Sequence, residues 1–272
     1  MIQENNFKNW PENELPALSW DGKIPMGQVS GVFGRRPLLE RLKRPDIIGP
    51  GDEVLDLGCG NGYMSEKFAE LVGPTGHVVG MDVWQPYVGL VSEKRPQATE
   101  GSNLEFKYGD ITKDLGSFES ESQDIITCLM VIHTLEIKSI DKMFKEAGRI
   151  LKKGGRMMIL TMHPELFNSE AFNLDFWQFD KNDLRKYQEV KDKEGVYIHV
   201  QAGNTLDKSR NVGMFHHTRE NIINAAQNGD LDILEEQDLW IDPEVAKKEF
   251  KDDPSRVFPT KPAFWLITFI KK

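Results

Sequence analysis

Three glycines fall within five positions, Gly58, Gly60 and Gly62 of "VLDLGCGNGYMS", directly after an apolar run that carries Asp56. Glycine reaches positive φ without steric penalty and lets another molecule come close to the main chain. A loop this bare therefore aims N–H groups and a helix N-terminus at a ligand. Two more carboxylates stand at comparable places. Asp82 ends the run "GHVVGMD", and Asp110 follows "LEFKYG". An ionised carboxylate only accepts hydrogen bonds, so Asp82 suits the two hydroxyls of a ribose and Asp110 suits the amino group of an adenine. Each feature also has a plainer reading: a tight turn for the glycines, a helix N-cap for Asp82, ordinary turn chemistry for Asp110. Their agreement favours one ligand crevice.

Two nucleotide motifs do not match. A dinucleotide fingerprint requires G-x-G-x-x-G, and Tyr63 stands where its last glycine belongs. No G-x-x-x-x-G-K-[ST] phosphate loop occurs anywhere.

The elements that position these residues follow from periodicity. "EVLDLG", "GHVVGMD", "LEFKYGD", "SQDIITCLMV" and "RMMILTMH" read as five strands. Met64, Phe68, Leu71 and Val72 recur at helical spacing after the first, with Gly73-Pro74 as a stop. "QPYVGLVSEKRP" reads as a weak helix after the second. Between the fourth and fifth, Ile140, Met143, Phe144, Ala147 and Ile150 form one helical face, and Gly154-Gly155 reads as its closure. Such βαβ alternation predicts an α/β, doubly wound, mostly parallel sheet whose ligands bind at the carboxyl ends of the strands.

Four segments follow: an N-terminal cap over 1–45, a core over 46–162, an insertion over 163–215 and a C-terminal helix and strand pair over 216–272. The insertion holds an aromatic stretch in which Phe172, Phe176 and Phe179 match helical spacing, and a strand-like "GVYIHVQ". A helix at "TRENIINAAQNG", a strand at "LDILEEQDLW", a short helix begun by Asp242-Pro243 and a last strand at "AFWLITFIKK" complete the chain.

Composition narrows the function classes. Thirty-four basic against 43 acidic residues give a net charge of −9, unfavourable for a nucleic-acid partner. The polar N-terminus lacks an apolar leader and no run of 18 apolar residues occurs, so the expectation is a cytoplasmic protein with no membrane partner. Cys59 and Cys128 lack any ligand spacing, which predicts reduced thiols and no metal.

With D-x-G-x-G-x-G, the strand-end Asp82, "GDI" and "ILKKGGRMMI", the chain resembles the class I S-adenosylmethionine-dependent methyltransferases over roughly residues 45 to 165. The resemblance implies a seven-stranded Rossmann-like sheet completed by an antiparallel strand pair. It also implies a site. Asp56 and the loop Gly58, Cys59, Gly60, Asn61 and Gly62 hold the methionine end, Asp82 and Val83 the ribose side, Gly109, Asp110 and Ile111 the adenine, and Leu129 the floor near the sulfonium. The expected cofactor is S-adenosylmethionine, with S-adenosylhomocysteine as product. "LTMHPELF" and "FHHTRENIINA" are similar to bacterial enzymes acting on small molecules.

Transfer to O, N or C of a small-molecule acceptor is the leading expectation. A protein or peptide acceptor, and a binding protein without turnover, stay open. Orientation and water exclusion supply much of such a reaction's rate, so a base is optional. Where one is needed, histidine is the natural proton acceptor. His163 at the end of the fifth strand and His217 after the insertion are the candidates. His133 and His216 lie nearby in the sequence pattern, and His77 and His199 receive no role. The nucleic-acid amino-methylation run Asn/Asp-Pro-Pro-aromatic is missing after the fourth strand, which ends "CLMVIH".

Overall fold

The computed structural model describes residues 34, 36–42, 44, 47–83, 102–165, 177–179, 196–202, 211–245 and 261–272. Seven strands form the main sheet: β1 (Glu53–Leu57), β2 (His77–Asp82), β3 (Leu104–Tyr108), β4 (Gln123–Leu129), β5 (Leu151–Met162), β9 (Leu231–Leu239) and β10 (Phe264–Lys271). Their order is β3-β2-β1-β4-β5-β10-β9. Pairing is parallel from β3 through β5 and antiparallel where β10 joins β5 and β9. The strand order reverses beside β1, the place at which doubly wound sheets bind ligands at the carboxyl ends of their strands.

Alternation along the strands divides the core between two faces. Val54, Leu160 and Leu266 pack against helices α1 (Arg36–Leu42) and α2 (Tyr63–Val72) on one side. Leu55, Leu57, Ile159, Trp265 and Ile267 pack against α3 (Ile137–Ile150) and α4 (Arg219–Gln227) on the other. The expected face of α3, Ile140 to Ile150, is buried throughout. Helix α2 ends at Gly73, whose φ of 64° stops it as expected. Thr218 begins α4 with a capping box shared with Asn221.

Gly154-Gly155 does not close α3. The helix ends at Ile150, and β5 starts at once at Leu151 and runs through both glycines. The register against β4 shifts between Gln123 and Ile125. A Cβ on Gly155 would stand 2.8 Å from the Lys152 carbonyl oxygen and 3.0 Å from that of Asp124, so the glycine serves strand packing.

A separate antiparallel sheet is formed by β6 (Trp177–Phe179), β7 (Val196–Ala202) and β8 (Asn211–His216). "GVYIHVQ" is a strand as expected. Phe179 lies in a strand and not in a helix, and β8 is a strand that periodicity did not reveal. The expected helix at "QPYVGLVSEKRP", Phe172, Phe176 and most of the N-terminal segment lie outside the described residues. No helix among the described residues is long and apolar enough to cross a membrane.

Candidate cofactor and acceptor site

The glycine loop joins β1 to α2 at the point where the strand order reverses. Gly58, Gly60 and Gly62 all have positive φ, at 71°, 55° and 74°. The main-chain N–H groups of Gly58 and Cys59 both donate to the Met81 carbonyl, at 2.8 and 3.0 Å, which ties the loop to the end of β2. A Cβ on Gly58 would stand 2.4 Å from Val131 Cγ2, just after β4. Gly60 faces open space, with nothing within 4 Å of where its Cβ would be. Its N–H donates to Asp82 Oδ2 at 2.9 Å. Asn61 Oδ1 accepts from the Tyr63 N–H at 3.3 Å, and the buried Asn61 Nδ2 has no partner among the described residues.

Asp56 sits beneath this loop. Its carboxylate is 2% exposed. Oδ2 accepts from Ser65 Oγ of α2 at 2.6 Å, and Oδ1 accepts from Thr127 Oγ1 of β4 at 2.7 Å. Asp56 thus clamps β1, β4 and α2 together and so fixes the loop from below. Asp110 is engaged within its own turn. Its Oδ1 accepts from the Thr112 main-chain and hydroxyl groups at 2.9 and 2.7 Å, and Oδ2 pairs with Lys113 at 2.8 Å. Burial alone would raise its pKa, but Lys113 and Thr112 outweigh burial and hold the carboxyl below its ordinary range. An adenine amino group would have to compete for an oxygen already used in a turn. Nearby, Val83 is half exposed beside Asp82, while Ile111 and Leu129 are buried and Gly109 donates its N–H to the Asp82 carbonyl at 3.0 Å. Burial first, then the charges of Asp56 and Asp82, push the Cys59 thiol well above its usual pKa and disfavour its thiolate.

A family model described as "Methyltransferase domain" matches residues 48–227, which span β1 through α4. The chain belongs to this methyltransferase family. It is 31% identical over 150 residues to a 2-phytyl-1,4-naphtoquinone methyltransferase of Synechococcus elongatus, a match covering 53% of this chain and 63% of that protein. It is 29% identical over 130 residues to a ubiquinone/menaquinone biosynthesis C-methyltransferase of Vibrio vulnificus, covering 48% of each. The chain thus spans less than two thirds of the length of these curated relatives. In fold, it is similar to a SAM-dependent methyltransferase of Methanosarcina mazei, with a TM-score of 0.60 at 17% identity over 83% of this chain and 95% of that one.

The methyltransferase's two candidate histidines differ in what surrounds them. His163 is fully buried. Its Nδ1 accepts from the Glu165 N–H at 3.1 Å, so Nε2 carries the proton and donates to Asp238 Oδ1 at 3.1 Å. Both nitrogens are engaged, and the ring packs edge-on to Trp265 with centroids 6.4 Å apart. This geometry fastens β5 to β9. His217, 5% exposed, donates from Nε2 to the Leu135 carbonyl at 2.8 Å. Its Nδ1 is then an acceptor, buried and unpartnered among the described residues. His133 presents a second buried, unpartnered Nδ1. Sequence reasoning gave His133 no role. Its only signal was its place just past the end of β4.

Burial, reinforced for His133 by its neighbour His217, pushes both rings down to about 4. His163 and His216 are lowered as well, again chiefly by burial. Unfolded, each ring titrates near 6.5. Between these values the unfolded chain binds more protons, so stability is complete above about pH 6.5 and is lost as pH falls towards about 4. Thermal melts at pH 7 and pH 5 should show a marked loss at the lower value, and His217→Asn should shrink that difference. An equal pH response in the variant would contradict the assignment. Among the described residues, no group of three or more His, Cys, Asp or Glu is placed to hold a metal ion.

Proposed function

We propose that this chain is an S-adenosylmethionine-dependent methyltransferase acting on a small-molecule acceptor. The observation that carries the reading is the contact of the Gly60 N–H with Asp82 Oδ2 at 2.9 Å, beside open space above Gly60. It joins a bare loop, a helix N-terminus and a carboxylate at the strand-order reversal. These fit the cofactor's parts: a carboxylate at the α2 N-terminus and Asn61 Nδ2, ribose hydroxyls at Asp82, and apolar surface at Val83, Ile111 and Leu129 for the base and the methionine chain. When bound, S-adenosylmethionine supplies an electrophilic methyl group on a sulfonium. The chain's own part is to hold the acceptor in line and to exclude water. Quinone methyltransferases among the relatives support a small, largely apolar acceptor. The insertion over 163–215 is the segment we assign to covering it, and a cytoplasmic setting fits this chemistry.

Calorimetry on the purified chain with S-adenosylmethionine and S-adenosylhomocysteine tests the reading. Saturable one-to-one binding of both is expected, with a Kd of roughly micromolar order, about −8 kcal/mol. A folded chain that binds neither ligand overturns it.

A further inference from the structure

Two buried imidazole nitrogens, unpartnered among the described residues, belong to neighbouring rings, His133 and His217, just past the carboxyl end of β4. His133 lies in the single-turn helix Ile132–Thr134 that follows β4, and His217 follows β8, which brings it in from the insertion. The two rings are held in place from several directions. His217 Nε2–H is fixed by the Leu135 carbonyl at 2.8 Å, and its ring stacks on Phe215 at 6.3 Å between centroids and 24° between planes. The turn itself is closed by Thr134, whose hydroxyl and N–H both donate to the Val131 carbonyl, at 2.7 and 2.8 Å. Val131 is the residue that Gly58 packs against. The histidine pair is therefore one turn of chain away from the cofactor loop.

Buried polar atoms in folded proteins are nearly always hydrogen-bonded, and leaving one unmet is costly. Here Nδ1 of His133 and Nδ1 of His217 are both buried without a partner among the described residues. His217 Nδ1 is an acceptor by elimination, because Nε2 carries the proton. We infer that this pair is a subsite for a neutral hydroxyl of the methyl acceptor, of the phenol or enol class, whose O–H donates to His217 Nδ1. The inference rests on the methyltransferase reading above and names the acceptor chemistry that reading leaves open.

The electrostatics choose the class. Both rings are neutral near pH 7, since burial lowers them to about 4. Among the described residues, the charge that acts on His217 is that of the buried His216, itself lowered, and Glu136 stands exposed at the start of α3. An ammonium would enter without a buried carboxylate to meet it, and a carboxylate would face acceptor lone pairs. A hydroxyl needs only an acceptor. When that hydroxyl ionises, its O–H bond breaks, the electron pair stays on oxygen and the proton forms the second N–H of His217. A ring this weakly basic holds the proton only briefly.

The test uses the full chain labelled with 15N-histidine, with long-range proton–nitrogen NMR reading each ring nitrogen in the presence of S-adenosylhomocysteine. Phenol is the probe, and anisole, of like shape but without the donor, is its control. Phenol should move the His217 Nδ1 signal towards the protonated side in a saturable way, with anisole giving little of that shift. Equal shifts from phenol and anisole, or no shift from either while S-adenosylhomocysteine binds, overturn the subsite. Loss of S-adenosylhomocysteine binding alone overturns the methyltransferase reading, and the phenol response without it still judges the subsite.

Discussion

Asp82→Ala is expected to lower affinity for S-adenosylmethionine at least 100-fold, about 3 kcal/mol, while the fold persists. Two losses combine. The carboxylate that would accept ribose hydroxyls disappears, and so does the acceptor that holds the Gly60 N–H at 2.9 Å. Hydrogen bonds to a charged acceptor contribute about 1.5–3 kcal/mol each when they are well formed. The melting temperature should change little, because Asp82 stands at a strand end and the loop keeps its two bonds to the Met81 carbonyl. Calorimetry paired with a thermal melt checks both halves. Wild-type affinity in a folded variant would remove Asp82 from the site.

Gly148→Ala carries the largest stability effect expected. Gly148 lies in α3, and a Cβ there would stand 1.8 Å from the Gly229 carbonyl oxygen in the turn after α4. Gly229 reciprocates: its own Cβ would lie 2.4 Å from the Phe144 carbonyl oxygen. Main chain touches main chain, so no flexible side chain can yield, and one element must move off the other. Alanine's better helix propensity returns up to about 1 kcal/mol. The displacement costs more, and a net loss of about 3 kcal/mol is expected, or roughly 10 °C in melting temperature. Gly116→Ala, with nothing within 4 Å of the new methyl group, is the control that should stay within about 0.5 kcal/mol of wild type. If the two variants melt alike, the close approach is not a determinant of stability.

The sheet was legible because its signals are local. Short apolar runs and a 3.6-residue period in α2 and α3 each lie within a dozen residues, and the five strands β1 to β5 and these two helices are present. β8 escaped notice because "NVGMFH" has a glycine in its middle and no clean alternation. The site was legible in its loop and less so in its polar side chains. Residue type alone cannot say which partners folding will deliver. Asp56 meets Ser65 nine residues away and Thr127 seventy-one residues away, and these hydroxyls make it a clamp between strands and helix. His163 meets Asp238 across 75 residues of sequence, a partner that no local pattern announces. His133 becomes interesting only because His217 arrives from the far side of the insertion.

The clamp beneath the loop bears on the entropy of binding. Asp56 fixes the strand that enters the loop, the Met81 carbonyl fixes its first two amides, and Asp82 fixes Gly60, all by bonds internal to the protein. The ordering of the loop is then completed during folding rather than charged against each ligand. Association has to immobilise the ligand itself and little of the main chain around it, which leaves more of the contact energy to appear as affinity. It also means that spent product can leave and fresh cofactor enter through successive cycles without the loop having to unfold.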